Sequence, residues 1–306
     1  MTDPKFWTPA AARPQLWRTA VGSVLTVAIW MAAGLGLVWL AGRISGLPPG
    51  MVMDTTRWVG AAMFFLTFTG LHLGLAVTLP LLHRRGFSSL LGPDNRLNWT
   101  HFLNGLWAML ALAAGLYALM AVEHLVLPEG ISPEVARLRP TGEWLMGLAP
   151  ALALILLQVS AEEVAFRGYL LQQLRARFRS PLVWAVLPAL VFGGLHFDPL
   201  TYGYLNASAY VANAATMGTL AAFVTMRTGN LGAAIGLHFG NNAALTLFGL
   251  EGELSGFSLF GVAMDPASGY ATYSIVAQTL AALAIFVVWW RWMNRHRPIA
   301  NPPRPA

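Results

Sequence analysis

The sequence predicts an all-α protein, a polytopic membrane helical bundle of about eight transmembrane helices. Three observations carry that reading. The 306 residues are 56% hydrophobic and only 10% charged, whereas soluble domains carry about 25% charged residues. Apolar runs of ~20 residues, enough to cross the hydrocarbon core, fall at roughly 21–42, 58–82, 102–122, 144–171, 182–197, 205–226, 231–249 and 271–293. The basic residues between those runs are sorted to one side.

The first run is too long for a signal-peptide core and no A-x-A site follows it, so it is expected to be retained. The fifth is short. The seventh is rich in Gly and Ala, which let neighbouring helices approach closely inside a membrane. With the N-terminus in the cytoplasm, eight spans return the C-terminus there. The outer loops then hold only Arg43, Arg57, Arg137 and Arg139 of the 19 basic residues, Arg167 lies within a span, and all others are inside. The acids Glu123, Glu129, Glu134, Glu143, Glu251, Glu253 and Asp265 fall outside. Tryptophans such as Trp58, Trp144 and Trp289 mark span ends as interfacial anchors do. The ending "RHRPIANPPRPA" is basic and Pro-rich and reads as an unstructured cytoplasmic tail. No internal repeat, extramembrane domain or nucleotide motif is evident.

Composition also excludes chemistry. There are no cysteines, hence no disulfide, no thiolate metal site and no cysteine nucleophile. Nor can the chain itself be prenylated or palmitoylated on a cysteine. The net charge of +6 punctuates apolar blocks and forms no basic face, so no nucleic-acid partner is expected.

The stretch that stands out is "LLQVSAEEVAFRGYLL", residues 156–171. It sets Glu162, Glu163 and Arg167 inside an apolar span. Each ionised side chain near a helix centre costs on the order of 2.5–3.5 kcal/mol on insertion scales. Glu163 and Arg167 are four apart with the acid N-terminal, the favoured orientation for an ion pair. Glu162 lies about 100° round the helix and is left for something else. Further on, His196 ends "LVFGGLHF", while His238 and Asn242 share one helix face in "GLHFGNNAA". A glutamate, two histidines and a carboxamide on three helices make a candidate converging site. The remaining polar groups have plainer readings. His72 is read as an interhelical hydrogen-bonder, and His83, His101, His124 and His296 as groups at interfaces or in loops. Asn241, Asn206 and Asn213 are read as packing polar groups.

"EEVAFR" fits E-E-x-x-x-R, "FGGLH" fits F-x-x-x-H and "HFGNN" fits H-x-x-x-N. Their order and separation resemble the type II CAAX prenyl endopeptidases and their bacterial relatives, the Abi or CPBP membrane proteases. The likeness covers about residues 144–249. It implies three parts: spans one to three over 1–143, a catalytic core over 144–249, and the last span with its tail over 250–306. It places Glu162, His196, His238 and Asn242 in the active site, with Glu163 and Arg167 completing the first motif and Phe192 opening the second. It also implies a multi-pass protein of a bacterial inner membrane, contacting membrane lipid and cutting a prenylated or transmembrane peptide.

Glu162 is the natural base for water, and Asn242 and a suitably protonated His238 are oxyanion donors. His196 shares the water or hands a proton to the leaving amine, and Glu163–Arg167 holds the helix. Family members are commonly labelled metalloproteases, and Glu162, His196 and His238 also form a candidate zinc set with water in the fourth position. In that case Glu163 must be the base, against the pull of Arg167. The H-E-x-x-H helix is absent, and the metal-free base is preferred. A binding or immunity-type membrane protein using the same pocket is the alternative from another class. A proton-coupled transporter ranks last, because paired repeats and interrupted helices are not seen. One geometric condition follows. Span four must run on to about residue 178 if Glu162 and His196 are to meet in depth.

Overall fold

A computed structural model describes residues 5–128 and 130–295. The Pro-rich tail, His296 and Glu129 lie outside those residues. The helices in chain order are α1 (Leu16–Ser45), α2 (Trp58–His83), α3 (Trp99–Val126), α4 (Thr141–Arg177), α5 (Leu182–Gly194), α6 (Pro199–Thr228), α7 (Gly232–Ala244) and α8 (Gly269–Arg295). Six of these, all but α5 and α7, are long and apolar enough to span a bilayer. The protein is an integral multi-pass membrane protein. α7 has 13 residues, which at 1.5 Å each is about 20 Å, short of the ~30 Å hydrocarbon core. α5 is no longer.

Span four does run on, continuing unbroken to Arg177, which meets the depth condition. Two boundaries move the other way. The fifth expected span stops at Gly194 and the seventh at Ala244. The run after Ala244, "LTLFGL", is short, β-branched and aromatic, a pattern that fits helix and strand equally. Here it forms a strand, β2 (Phe248–Leu250), beside β1 (Glu134–Arg137) and β3 (Phe260–Ala263). The sheet order is β1-β3-β2, antiparallel between β1 and β3 and parallel between β3 and β2. The sequence points to no ordered element outside the helices, so this sheet is a correction.

The small residues of α7 set its position. A Cβ on Gly236 would lie 2.0 Å from the Phe102 carbonyl oxygen, and one on Gly105 would lie 2.4 Å from that of Ala233. α7 and α3 therefore meet backbone to backbone along Gly232, Gly236 and Gly240, one small residue per turn, as in membrane helix pairs. Residues 238 and 242 each follow a stripe glycine by two, some 200° round the helix. His238 and Asn242 are thereby turned away from α3 and toward α4.

The two ends of the bundle differ. At one end Arg18 donates to the Leu82 carbonyl at 2.8 Å and Arg175 lies over Trp7 at 4.2 Å. Arg227 donates to the Met293 carbonyl there, and Asn230 to that of Arg96. The opposite end carries the sheet, with Arg139 donating to the Ser255 carbonyl and Trp144 to that of Thr246. The described basic residues that the sequence sorts to the inner side thus share the first end.

Candidate active site

The acidic pair sits where α4 changes its winding. Val164–Leu170 is π-helical, a form rare in proteins and frequent at functional sites. Glu163, immediately before it, is 1% exposed and accepts at Oε1 from Arg167 Nη1 at 2.8 Å and from His238 Nδ1 at 2.9 Å. Arg167 also donates through Nε to the Gly218 carbonyl at 3.4 Å and lies 4.7 Å from the Phe192 ring centre. One carboxylate therefore ties α4 to α7, and its partner guanidinium ties α4 to α5 and α6. The Glu163–Arg167 pair is the one expected from the i,i+4 spacing. The bond to His238 is an addition that the spacing does not suggest.

That bond orders the imidazole. A carboxylate can only accept, so Nδ1 of His238 carries the proton, and in the neutral ring Nε2 is bare. Nε2 faces the Glu162 carboxylate, with Oε2 at 3.6 Å, and the Asn242 amide, with Nδ2 at 3.5 Å. His196 is arranged alike: Nδ1 donates to the Phe192 carbonyl at 2.9 Å, which again leaves Nε2 bare. The Phe192 ring touches both imidazoles, at 4.9 Å from His196 and 6.1 Å from His238 between centres. His196 lies just beyond α5, in the turn before Asp198. The Asp198 carboxylate caps α6 by accepting from the backbone N–H groups of Leu200 and Thr201.

All seven residues singled out in the sequence line one cavity of about 1060 Å³, and most of its wall is apolar. It extends along α8 from Ala271 to Met293, between that helix and α3, α6 and α7. Glu162 is 13% exposed and turned to this space, while Glu163 beside it is sealed.

Three amides belong to the site that the motifs do not include. Asn242 Nδ2 donates to Gln158 Oε1 at 3.0 Å, and Asn241 Nδ2 donates to Asn242 Oδ1 at 3.0 Å. Gln278 of α8 donates in turn to Asn241 Oδ1 at 3.1 Å. Asn241, read as a packing polar group, does join two helices, since it is bonded to Gln278 of α8. A signal for Gln158 is present in the sequence, since it precedes Glu162 by four residues on one face of α4. Gln278 gives none beyond being an amide in an apolar span. His72 behaves as expected, bonding the Leu157 carbonyl and Ser160 of α4 at 3.2 Å each. His83, at the end of α2, is also buried, bonded at Nε2 to the Tyr169 hydroxyl at 2.9 Å and at Nδ1 to Gln173 at 3.0 Å.

The zinc set fits less well. Glu162 and His238 approach each other, while His196 is engaged at Nδ1 by the Phe192 carbonyl. Among the described residues no three His, Asp or Glu side chains gather as a metal-holding group. This donor arrangement does not fit a three-ligand zinc.

Residues 143–244 match the family model described as type II CAAX prenyl endopeptidase Rce1-like. Those residues are α4 to α7, the helices that bring every motif residue to the cavity. A protein of Bacillus subtilis (strain 168), named "Uncharacterized protein YyaK", is 28% identical over 178 residues, which is 57% of this chain. The match covers 56% of that protein, so the chain spans just over half the length of this relative. The motif-bearing region is thus similar to the type II CAAX endopeptidases, as its residues imply.

Proposed function

We propose that the chain is an intramembrane endopeptidase that hydrolyses a peptide bond in a lipid-anchored or membrane-embedded substrate, with Glu162 as the base. The observation that carries this reading is the pair of acceptors, Glu162 Oε2 and the bare Nε2 of His238, 3.6 Å apart at the cavity wall. Two acceptors at that spacing are within reach of one water, which donates an O–H to each. Glu162 takes the proton as the water oxygen bonds to the carbonyl carbon. Glu163 holds the His238 ring in the required tautomer and is itself neutralised by Arg167. The amides that Asn242 draws together supply a donor on the oxyanion side. His196, with Nδ1 committed to a carbonyl, receives at Nε2 the proton that Glu162 took from the water and passes it to the leaving amine.

The apolar cavity suits a prenyl chain or a transmembrane segment beside the scissile bond. The basic end of the bundle is assigned to the cytoplasm by the Lys and Arg bias, in a bacterial inner membrane.

The test is cleavage of a farnesylated C-terminal peptide by purified wild type and Glu162→Gln, each with and without a strong chelator. Cleavage that survives chelation and drops about 10³-fold in the variant is expected. Loss on chelation with recovery on adding zinc would overturn the metal-free base. A folded wild type that cuts neither this peptide nor a transmembrane peptide would favour a binding protein built on the same pocket.

A further inference from the structure

The four carboxamides of the site form a chain with one direction. Gln278 donates to Asn241, Asn241 to Asn242, and Asn242 to Gln158, at 3.0–3.1 Å throughout. Each oxygen in the run after Gln278 is occupied by the amide before it. Hydrogen bonds linked in this way polarise one another, so the last donor is strengthened. The second N–H of Asn242 Nδ2 points at the bare Nε2 of His238, 3.5 Å away. Asn242 therefore has one N–H committed to Gln158, while the other faces the His238 ring at a distance long enough for Nε2 to take the water instead. Gln158 differs. It is buried at 6% exposure, it lines the cavity, and its Nε2 makes no hydrogen bond among the described residues. It also lies on the Glu162 face of α4, one turn away, where side chains at i and i+4 stand about 5–6 Å apart at Cβ.

From this the geometry points to Gln158 as a catalytic residue: its Nε2, the terminal donor of the amide relay, holds the carbonyl oxygen of the scissile bond. The inference rests on the proposed peptidase reading and deepens it. Water loses a proton to Glu162 and its oxygen bonds to the carbonyl carbon. The C=O electron pair moves onto oxygen, where the Gln158 N–H receives the charge. When the pair returns, the C–N bond breaks and the proton taken from water leaves on the amine. One water is consumed and an acid and an amine are released. Asn242 then acts as a positioning residue that fixes Gln158 through its oxygen, while Gln278 anchors the relay on α8.

The experiment compares kcat and KM for a farnesylated C-terminal peptide in wild type, Gln158→Glu, Gln158→Met and Gln278→Leu, each shown to be folded by its thermal unfolding in detergent. Gln158→Glu keeps an oxygen for Asn242 and loses the donor. A fall of about 10²–10³-fold in kcat with KM within about 3-fold is expected for it and for Gln158→Met, the size seen when one oxyanion donor is removed. Gln278→Leu, far along the relay, is expected to lower kcat roughly 3–10-fold through lost polarisation. A Gln158→Glu enzyme with near wild-type kcat would mean that Gln158 only supports Asn242, and overturns the inference while the peptidase reading stands. If Gln158→Met unfolds, Gln158→Glu alone decides. A wild type inert on every peptide would overturn both.

Discussion

His83 and His238 are both histidines held inside the bundle, and they have opposite fates. His83 has each ring nitrogen bonded, one to Tyr169 and one to Gln173, and it pins the end of α2 to the end of α4. His238 has one nitrogen fixed by Glu163, while the other looks into a cavity at contacts of 3.5–3.6 Å. The first is saturated and can only hold. The second is oriented on one side and only loosely engaged on the other, which is what a group that must take up a water needs. The two glutamates repeat the lesson within a single dipeptide: Glu163 is sealed and shared by two donors, and Glu162 faces open space.

The sharpest break of this comparison is His238→Gln, expected to lower kcat about 10²-fold with little change in unfolding temperature, since misplacing a reacting group can cost on that scale. Glu163→Gln comes next. It leaves Arg167 buried without a counter-charge, for which removal of one partner typically costs about 3–5 kcal/mol, and it frees His238 to rotate. Unfolding temperature in detergent and peptide cleavage should both fall. Gly236→Ala pushes a methyl into the Phe102 carbonyl, 2.0 Å from the ideal Cβ. Overpacking of that kind costs about 1–3 kcal/mol and should shift His238 and Asn242 together, with kcat reduced more than KM is raised. His83→Phe is the smallest in activity, with kcat expected within about 3-fold of wild type. It takes one partner from the Tyr169 hydroxyl, which keeps the Arg18 and Thr19 carbonyls, and strands the Gln173 amide, at about 1–3 kcal/mol of stability. A large loss of kcat in His83→Phe would erase the distinction between the two histidines.

Much of the site is legible in the sequence because membrane helices expose their exceptions. Charges and histidines in apolar runs are conspicuous, and the i,i+4 rule alone pairs Glu163 with Arg167. What stays hidden shares one physical origin. The Asn242–Gln158 and His238–Glu163 bonds join residues 84 and 75 apart in the chain, and helix periodicity says which face a residue lies on but not what the next helix brings to it. His83 reads as a group at an interface or in a loop, and the sequence does not say that Tyr169 and Gln173, 86 and 90 residues on, close over its ring. The strand in "LTLFGL" is concealed inside an apolar run, where length alone separates helix from strand. The stripe of glycines is visible as composition, while the direction in which it aims His238 depends on α3.

The π-helical stretch of α4 has a consequence for how this helix can be edited. A π segment behaves as an α-helix with residues inserted into its winding. Deleting one residue between Val164 and Leu170 would let the helix rewind toward the α form and turn one half about 100° against the other. Tyr169, Gln172 and Gln173 anchor the half toward Arg177, and Gln158 and Glu162 ride on the half before the stretch. The shortened chain would keep nearly all its composition, its hydrophobic length and every motif letter outside the stretch. Its acids would nonetheless address a different neighbour, so α4 sets the angular phase of the site as well as supplying its acids.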